Sequence, residues 1–195
     1  MSLEEFKRSC IDLSADEVVE RFLIERSAYF FDHVQTGKEY EFKKDIASIL
    51  KVHIRDVVIV GSGKLGFSLK PDESHLGYYP FNVFDSKGQG RSDLDIAIIS
   101  STLFDNEMRN LYDHTEYAKI SWQERSGFAK YMLKGRLAIR FLPADFNFTK
   151  DVKTVQGKYR MAFGREINLE IYKSWYYFET YHQQNIKSIH VNLIA

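Results

Sequence analysis

Hydrophobic positions recur at helical spacing through the first fifty residues. In LSADEVVERFLIERSAYFFDHV, the side chains of Val18, Phe22, Leu23, Tyr29 and Phe30 share one face. Ser14 stands where an N-cap belongs, with acidic residues in the first turn behind it. After Gly37 the spacing resumes in KEYEFKKDIASILK, whose buried stripe is Phe42, Ile46, Ile49 and Leu50. The period then changes. VVIV, residues 57–60, is β-branched throughout and predicts a central strand. Residues 70–91 are rich in Pro, Gly and Ser and predict a long loop, a length that is often functional.

SDLDIAIIS predicts a second strand. Ser101 is placed to cap a helix over STLFDNEMRNLYDH, and Ser121 one over SWQERSGFAKYMLKGRL. AIRFLPADFNF reads as extended or irregular. TKDVKTVQGKYRMAFG predicts a helix closed by Gly164. EINLEIYK alternates and predicts a third strand, after which Ser174 caps a final helix over SWYYFETYHQQNIKSIHVNLI. The succession divides one expected domain, 1–195, into an N-terminal helical part (1–52), a core (53–172) and a C-terminal helix (173–195). No repeat, low-complexity tract or linker interrupts it.

Composition narrows the chemistry. The 195 residues are 44% hydrophobic and 15% aromatic, enough for a core. No apolar run approaches the roughly 20 residues of a membrane helix. MSLEEFKRSC lacks the apolar stretch of a signal peptide, so a cytoplasmic location with no membrane partner is the expectation. Cys10 is the single cysteine, which excludes an internal disulfide and a thiolate zinc site. Lys plus Arg and Asp plus Glu each number 27. That balance argues against an extensive nucleic-acid surface and favours a small anionic ligand in one pocket. The apolar N-terminal helices could also serve a homo-oligomeric contact.

VVIVGSGKLGFSL, residues 57–69, holds the first candidate site. Gly61, Gly63 and Gly66 satisfy G-x-G-x-x-G. A P-loop is excluded by Val58 where its first glycine belongs, and by Leu65 where it needs Ser or Thr. A dinucleotide site lacks its context, because the segment after Leu69 breaks at Pro71 and no clear strand leads to Asp85.

SDLDIAII supplies the other half. Alternate strand residues share a face, so Asp93 and Asp95 point together while Leu94, Ile96 and Ile98 enter a core. Two adjacent carboxylates raise each other's pKa and call for a cation. Magnesium suits such a pair, since it combines one or two carboxylates with substrate phosphates. The competing explanation is a solvated edge-strand face.

A strand, GSG, a helix, a loop and then SDLD on a second strand resemble the DNA polymerase β-like nucleotidyltransferase superfamily. Its hG[GS] signature is matched by Val60-Gly61-Ser62 and its D-h-D pair by Asp93-Leu94-Asp95. The signature covers about residues 57–99, with 70–91 as an insertion. The resemblance implies an α+β, polymerase β palm-like fold: a small mixed sheet flanked by helices, with N- and C-terminal helical additions.

It implies more about the site. Gly61 and Ser62, opening a helix over KLGFSL, would hold the phosphates of an NTP or dNTP. Lys64 would add charge there or be a solvated lysine, and Ser92 joins the nucleotide-binding set. Asp93 and Asp95 would bind two Mg²⁺ (or Mn²⁺) ions, one activating the attacking hydroxyl and the other stabilising the departing pyrophosphate. The superfamily adds a third carboxylate from a neighbouring strand, for which Glu170 is the first choice and Asp145 the competitor. Lys130 and Lys134, at i, i+4 on a helix, would meet triphosphate or acceptor, or form a solvated face. Trp175, Tyr176, Tyr177, Phe178 and Tyr181 read first as core, with base stacking or a tyrosine acceptor as alternatives. None of the six histidines has ligand spacing.

The implied reaction is transfer of a nucleoside monophosphate to a hydroxyl, with release of pyrophosphate. By size the chain is similar to small stand-alone bacterial members from toxin–antitoxin and anti-phage loci, including the Hailong-type group, and a partner protein from the same locus would fit that setting. The alternatives are AMP transfer to a protein or RNA end, and an inactive NTP-binding antitoxin or regulator.

Overall fold

Among the described residues four strands form one mixed sheet, and each of its faces is covered differently. The structure, a computed structural model, describes residues 2–72, 74–75, 77–86 and 90–195. The strands are β1 (Val57–Val60), β2 (Leu94–Ile99), β3 (Arg136–Leu137) and β4 (Ile167–Tyr172). Their order is β1-β2-β4-β3. β1 and β3 run antiparallel to their neighbours, while β2 and β4 are parallel. The parallel pair requires a long crossover, and α6 (Ser101–His114), α7 (Arg125–Met132) and α8 (Lys150–Phe163) supply it.

One face of the sheet is wholly apolar. Ile59, Leu94, Ile96, Ile98, Leu169 and Ile171 pack there with side chains from α3 (Tyr29–His33), α4 (Glu39–Leu50), α6 and α8. Burying each of these side chains contributes about 1.5–3 kcal/mol. The opposite face carries Val58, Val60, Ala97, Ile99 and Tyr172, and Phe178 of α9 (Trp175–Ile194) packs on it. A further core joins α9 to α1 (Leu3–Asp12) and α2 (Ala15–Val18) through Phe6, Val18, Ile186 and Ile189. The fold is thus α+β, with helices on both sides of a small mixed sheet. Among the described residues no helix is long and apolar enough to cross a membrane.

Local chemistry sets the element ends. The backbone N–H and hydroxyl of Ser14 both donate to Glu17, which fixes the start of α2. The helix continues in π form over Val19–Glu25 and ends at Arg26, so residues 14–34 are two helices rather than one run. Gly164 closes α8 with φ +60°, as its position in the sequence predicts.

Other expectations are corrected. VVIV is an edge strand, although it is buried on both faces as a central one would be, because α4 and the N-terminal helices reach it. The helix after the glycine turn is α5, Gly61–Leu65, and Gly66 at φ +88° ends it, so only Lys64 and Leu65 of KLGFSL are helical. Ser100, not Ser101, caps α6 by accepting from the Leu103 N–H. Helix α7 begins after Glu124 and not at Ser121, and the two-residue strand β3 lies where the sequence shows no alternation.

Candidate active site

The three glycines of the turn each have a steric reason. Gly61 sits at φ +65°, and a Cβ there would lie 2.6 Å from Asp95 Oδ2. A Cβ on Gly63 would lie 2.6 Å from Leu94 Cδ1, and one on Gly66 2.8 Å from the Tyr29 ring. The pattern therefore records close approach of the turn to β2 and α3, a use of glycine that needs no dinucleotide.

Register then brings the carboxylates together. Val60, Asp95 and Asn168 stand side by side across β1, β2 and β4. Asp93 precedes β2 on the same side. Asn168 Nδ2 donates to Asp93 Oδ2 at 2.7 Å and to Asp95 Oδ1 at 2.9 Å. One amide thus ties the two acids beside the glycine turn. Burial, and then the neighbouring Asp93, push the Asp95 carboxyl up to about 6, with Glu170 adding to the rise. The Asn168 hydrogen bond and the positive charge of Lys70 oppose that rise.

Glu170 lies on the same face, one step further along β4, opposite Ala97. It is ion-paired with Arg136 of β3. The Arg136 guanidinium is also surrounded by rings, 4.5 Å from the Tyr181 centroid and 5.2 Å from that of Tyr131. Asp145 is elsewhere, with its side chain 83% exposed and 3.3 Å from His114 Nε2. The structure brings Gly61, Asp93 and Asp95 together, sets Glu170 nearby against a cation, and leaves Asp145 apart. Among the described residues no three His, Cys, Asp or Glu side chains converge as a metal cluster.

The remaining candidates are placed as follows. Lys64 is 3% exposed and is not a solvated surface lysine. Its Nζ donates to the carbonyls of Ile24 and Arg26, and burial lowers its pKa to about 8. Ser92 Oγ accepts from the Asp85 N–H at 2.9 Å, and its carbonyl accepts from Arg165 at 2.8 Å, so it braces the long loop. Ser62 Oγ makes no hydrogen bond among the described residues. Helix α7 ends before Lys134, so Lys130 and Lys134 do not form a helical pair, and Lys134 Nζ lies 5.1 Å from the Tyr131 ring centroid. Phe178 is core, Trp175 donates to Asp56 at 3.0 Å, and Tyr176 is exposed.

Asn168 and Arg136 are the site residues that sequence reasoning missed. Alternation in INLEIY does place Asn168 on the face of Glu170. Only the β2–β4 register shows that Asn168, and not Glu170, stands opposite Asp95.

The donor set suits a hard divalent cation. Two carboxylates share one face, and one of them is held above the usual range by burial and its neighbour. Among the described residues, no other side chain donates to either acid, which leaves Asp93 Oδ1 and Asp95 Oδ2 for a cation. A cavity of about 660 Å³, lined by Trp122, Leu142, Phe146 and Lys153 among others, shares no residue with this site. In comparison with known proteins, no family model, no curated protein and no solved structure matches the chain.

Proposed function

We propose that the chain is a divalent-cation-dependent nucleotidyltransferase with a polymerase β palm-like arrangement, acting on an NTP or dNTP. One observation carries the reading. The Asp95 carboxylate lies against the Gly61 turn, with Asp93 tied beside it through Asn168. This is the juxtaposition of hG[GS] and D-h-D that the signature requires.

In this reading the Gly61–Ser62 backbone and the Ser62 hydroxyl hold the outer phosphates, next to the acids. Asp93 and Asp95 hold Mg²⁺ or Mn²⁺, which supplies charge neutralisation at the reacting phosphate. The acceptor hydroxyl oxygen forms a bond to the α-phosphorus, and the bond from that phosphorus to the pyrophosphate oxygen breaks. The acceptor's proton passes to solvent or to a carboxylate. The product is a nucleotide or oligonucleotide, and small bacterial enzymes of anti-phage loci are the setting that the resemblance suggests.

The Arg136–Glu170 pair favours a second reading. With the expected third carboxylate neutralised, the fold would bind NTP and a partner protein without turnover. One experiment separates the two. The purified chain is incubated with each labelled NTP and dNTP and with Mg²⁺ or Mn²⁺. Pyrophosphate with a product ladder, or with label retained on protein or RNA, supports transfer, and the label's location identifies the acceptor. Binding without pyrophosphate supports the regulator. Asp93→Ala with Asp95→Ala abolishes the signal while the circular dichroism spectrum is kept. A signal unchanged in that variant rejects the reading.

A further inference from the structure

We propose that the carboxylate site takes a single divalent cation, and that Asn168 sets this number. The inference rests on the nucleotidyltransferase reading and departs from the two-ion arrangement that the resemblance implies. Three observations carry it. First, Asn168 is the residue of β4 in register with Asp95, the place from which a third acid would reach both others. Secondly, its amide occupies one oxygen of each acid, at 2.7 Å and 2.9 Å. Ionised carboxylates only accept, so the group facing them must be the NH₂ and not the amide oxygen. One oxygen of each acid carries no side-chain hydrogen bond among the described residues, which gives two protein ligands, the number with which magnesium commonly joins substrate phosphates. Thirdly, Glu170 is held by Arg136 among the rings of Tyr131 and Tyr181. Releasing it would strand a guanidinium whose own residue is only 9% exposed. Asn168 thus acts as a positioning residue: it holds the two acids together without contributing a third charge.

The test is Mn²⁺ binding, read by electron paramagnetic resonance and calorimetry, alone and with inorganic triphosphate. The wild type binds one ion per chain in both conditions. Glu170→Gln, which keeps an oxygen for Arg136, leaves the Mn²⁺ dissociation constant within about twofold, because Glu170 is not a ligand. Asn168→Asp binds Mn²⁺ about tenfold or more tightly and takes a second ion with triphosphate, as added ligand charge raises affinity. Asp93→Asn removes the binding. Two ions in the wild type, or a loss of about tenfold in Glu170→Gln, overturns the inference and leaves the functional reading standing. Equal binding by wild type and Asp93→Asn overturns both. An Asn168→Asp variant that folds but takes no second ion with triphosphate also overturns the inference. Should it fail to fold, Asn168→Ala, which removes the amide that holds both acids, is measured in its place, and Mn²⁺ binding unchanged there overturns the inference.

Discussion

The Asp95 carboxylate lies 2.6 Å from the point where a β-carbon on Gly61 would stand. That distance joins the end of β1 to the face of β2 and makes one site of two separate sequence motifs. It also makes Gly61 irreplaceable on two counts. Its φ of +65° costs any residue with a Cβ about 1–2 kcal/mol, and the Cβ would displace the acid. Gly61→Ala is expected to lose at least that stability in urea titration and to weaken Mn²⁺ binding. Gly157, inside α8 with nothing near a built Cβ, is the control: Gly157→Ala gains about 0.5–1 kcal/mol and leaves Mn²⁺ binding unchanged.

The Asp95 carboxyl gives stability a defined pH dependence. Its folded pKa, about 6, stands above the ordinary value of 3.8, so the folded chain holds this proton more tightly than the unfolded chain. The associated stability is fully present below pH 3.8, is lost as pH rises through about 6, and stays lost above it. Asp95→Asn removes the ionised form. Without divalent ions it should be more stable than wild type at pH 7 by about 1–3 kcal/mol, and equal to it near pH 3.5. Paired urea titrations at the two pH values check this, and a variant less stable at pH 7 refutes the burial argument.

Much of this was legible in the chain, and the reason for the rest is physical. Period and caps mark α4, β2, α8, β4 and α9 because each buries a continuous stripe of its own residues. Parity in SDLD put Asp93 and Asp95 on one side. What parity cannot supply is register: Asn168 and Glu170 are equivalent by alternation, and only pairing with β2 distinguishes them. β3 is two residues long, too short for a period, so the Arg136 that captures Glu170 left no signal. Lys64 misleads for a different reason. A lysine beside a glycine turn suggests phosphate, yet this one reaches two backbone carbonyls of the preceding helical segment.

Lys64 is consequently a stability residue. Lys64→Ala leaves the Ile24 and Arg26 carbonyls without their donor and opens a void under α5, at a cost of about 2–4 kcal/mol. Its pKa, lowered by burial to about 8 from 10.5, adds a second signature. Between those values the unfolded chain binds the proton and the folded chain does not, so stability rises with pH across the window and is lost as pH falls through about 8. Lys64→Met, which fills the same space, should flatten that rise. Thermal melts from pH 7.5 to 10 compare the two.

Arg136 and Glu170 should respond unequally to separation. Arg136→Met leaves a half-buried carboxylate without its ion-pair partner on the face that already holds Asp95, so charges of one sign accumulate there. Its expected cost is about 3 kcal/mol. Glu170→Gln leaves the guanidinium facing the Tyr131 and Tyr181 rings at 5.2 Å and 4.5 Å, which retain part of its stabilisation. Its expected cost is nearer 1 kcal/mol. Combining Arg136→Met with Glu170→Gln recovers most of the loss of the first, since no unpaired charge remains. The coupling energy from the double-mutant cycle in urea is the measurement. A cycle that closes at zero would mean that the two side chains do not sense each other, and Glu170 would be released to stand with Asp93 and Asp95 as a ligand.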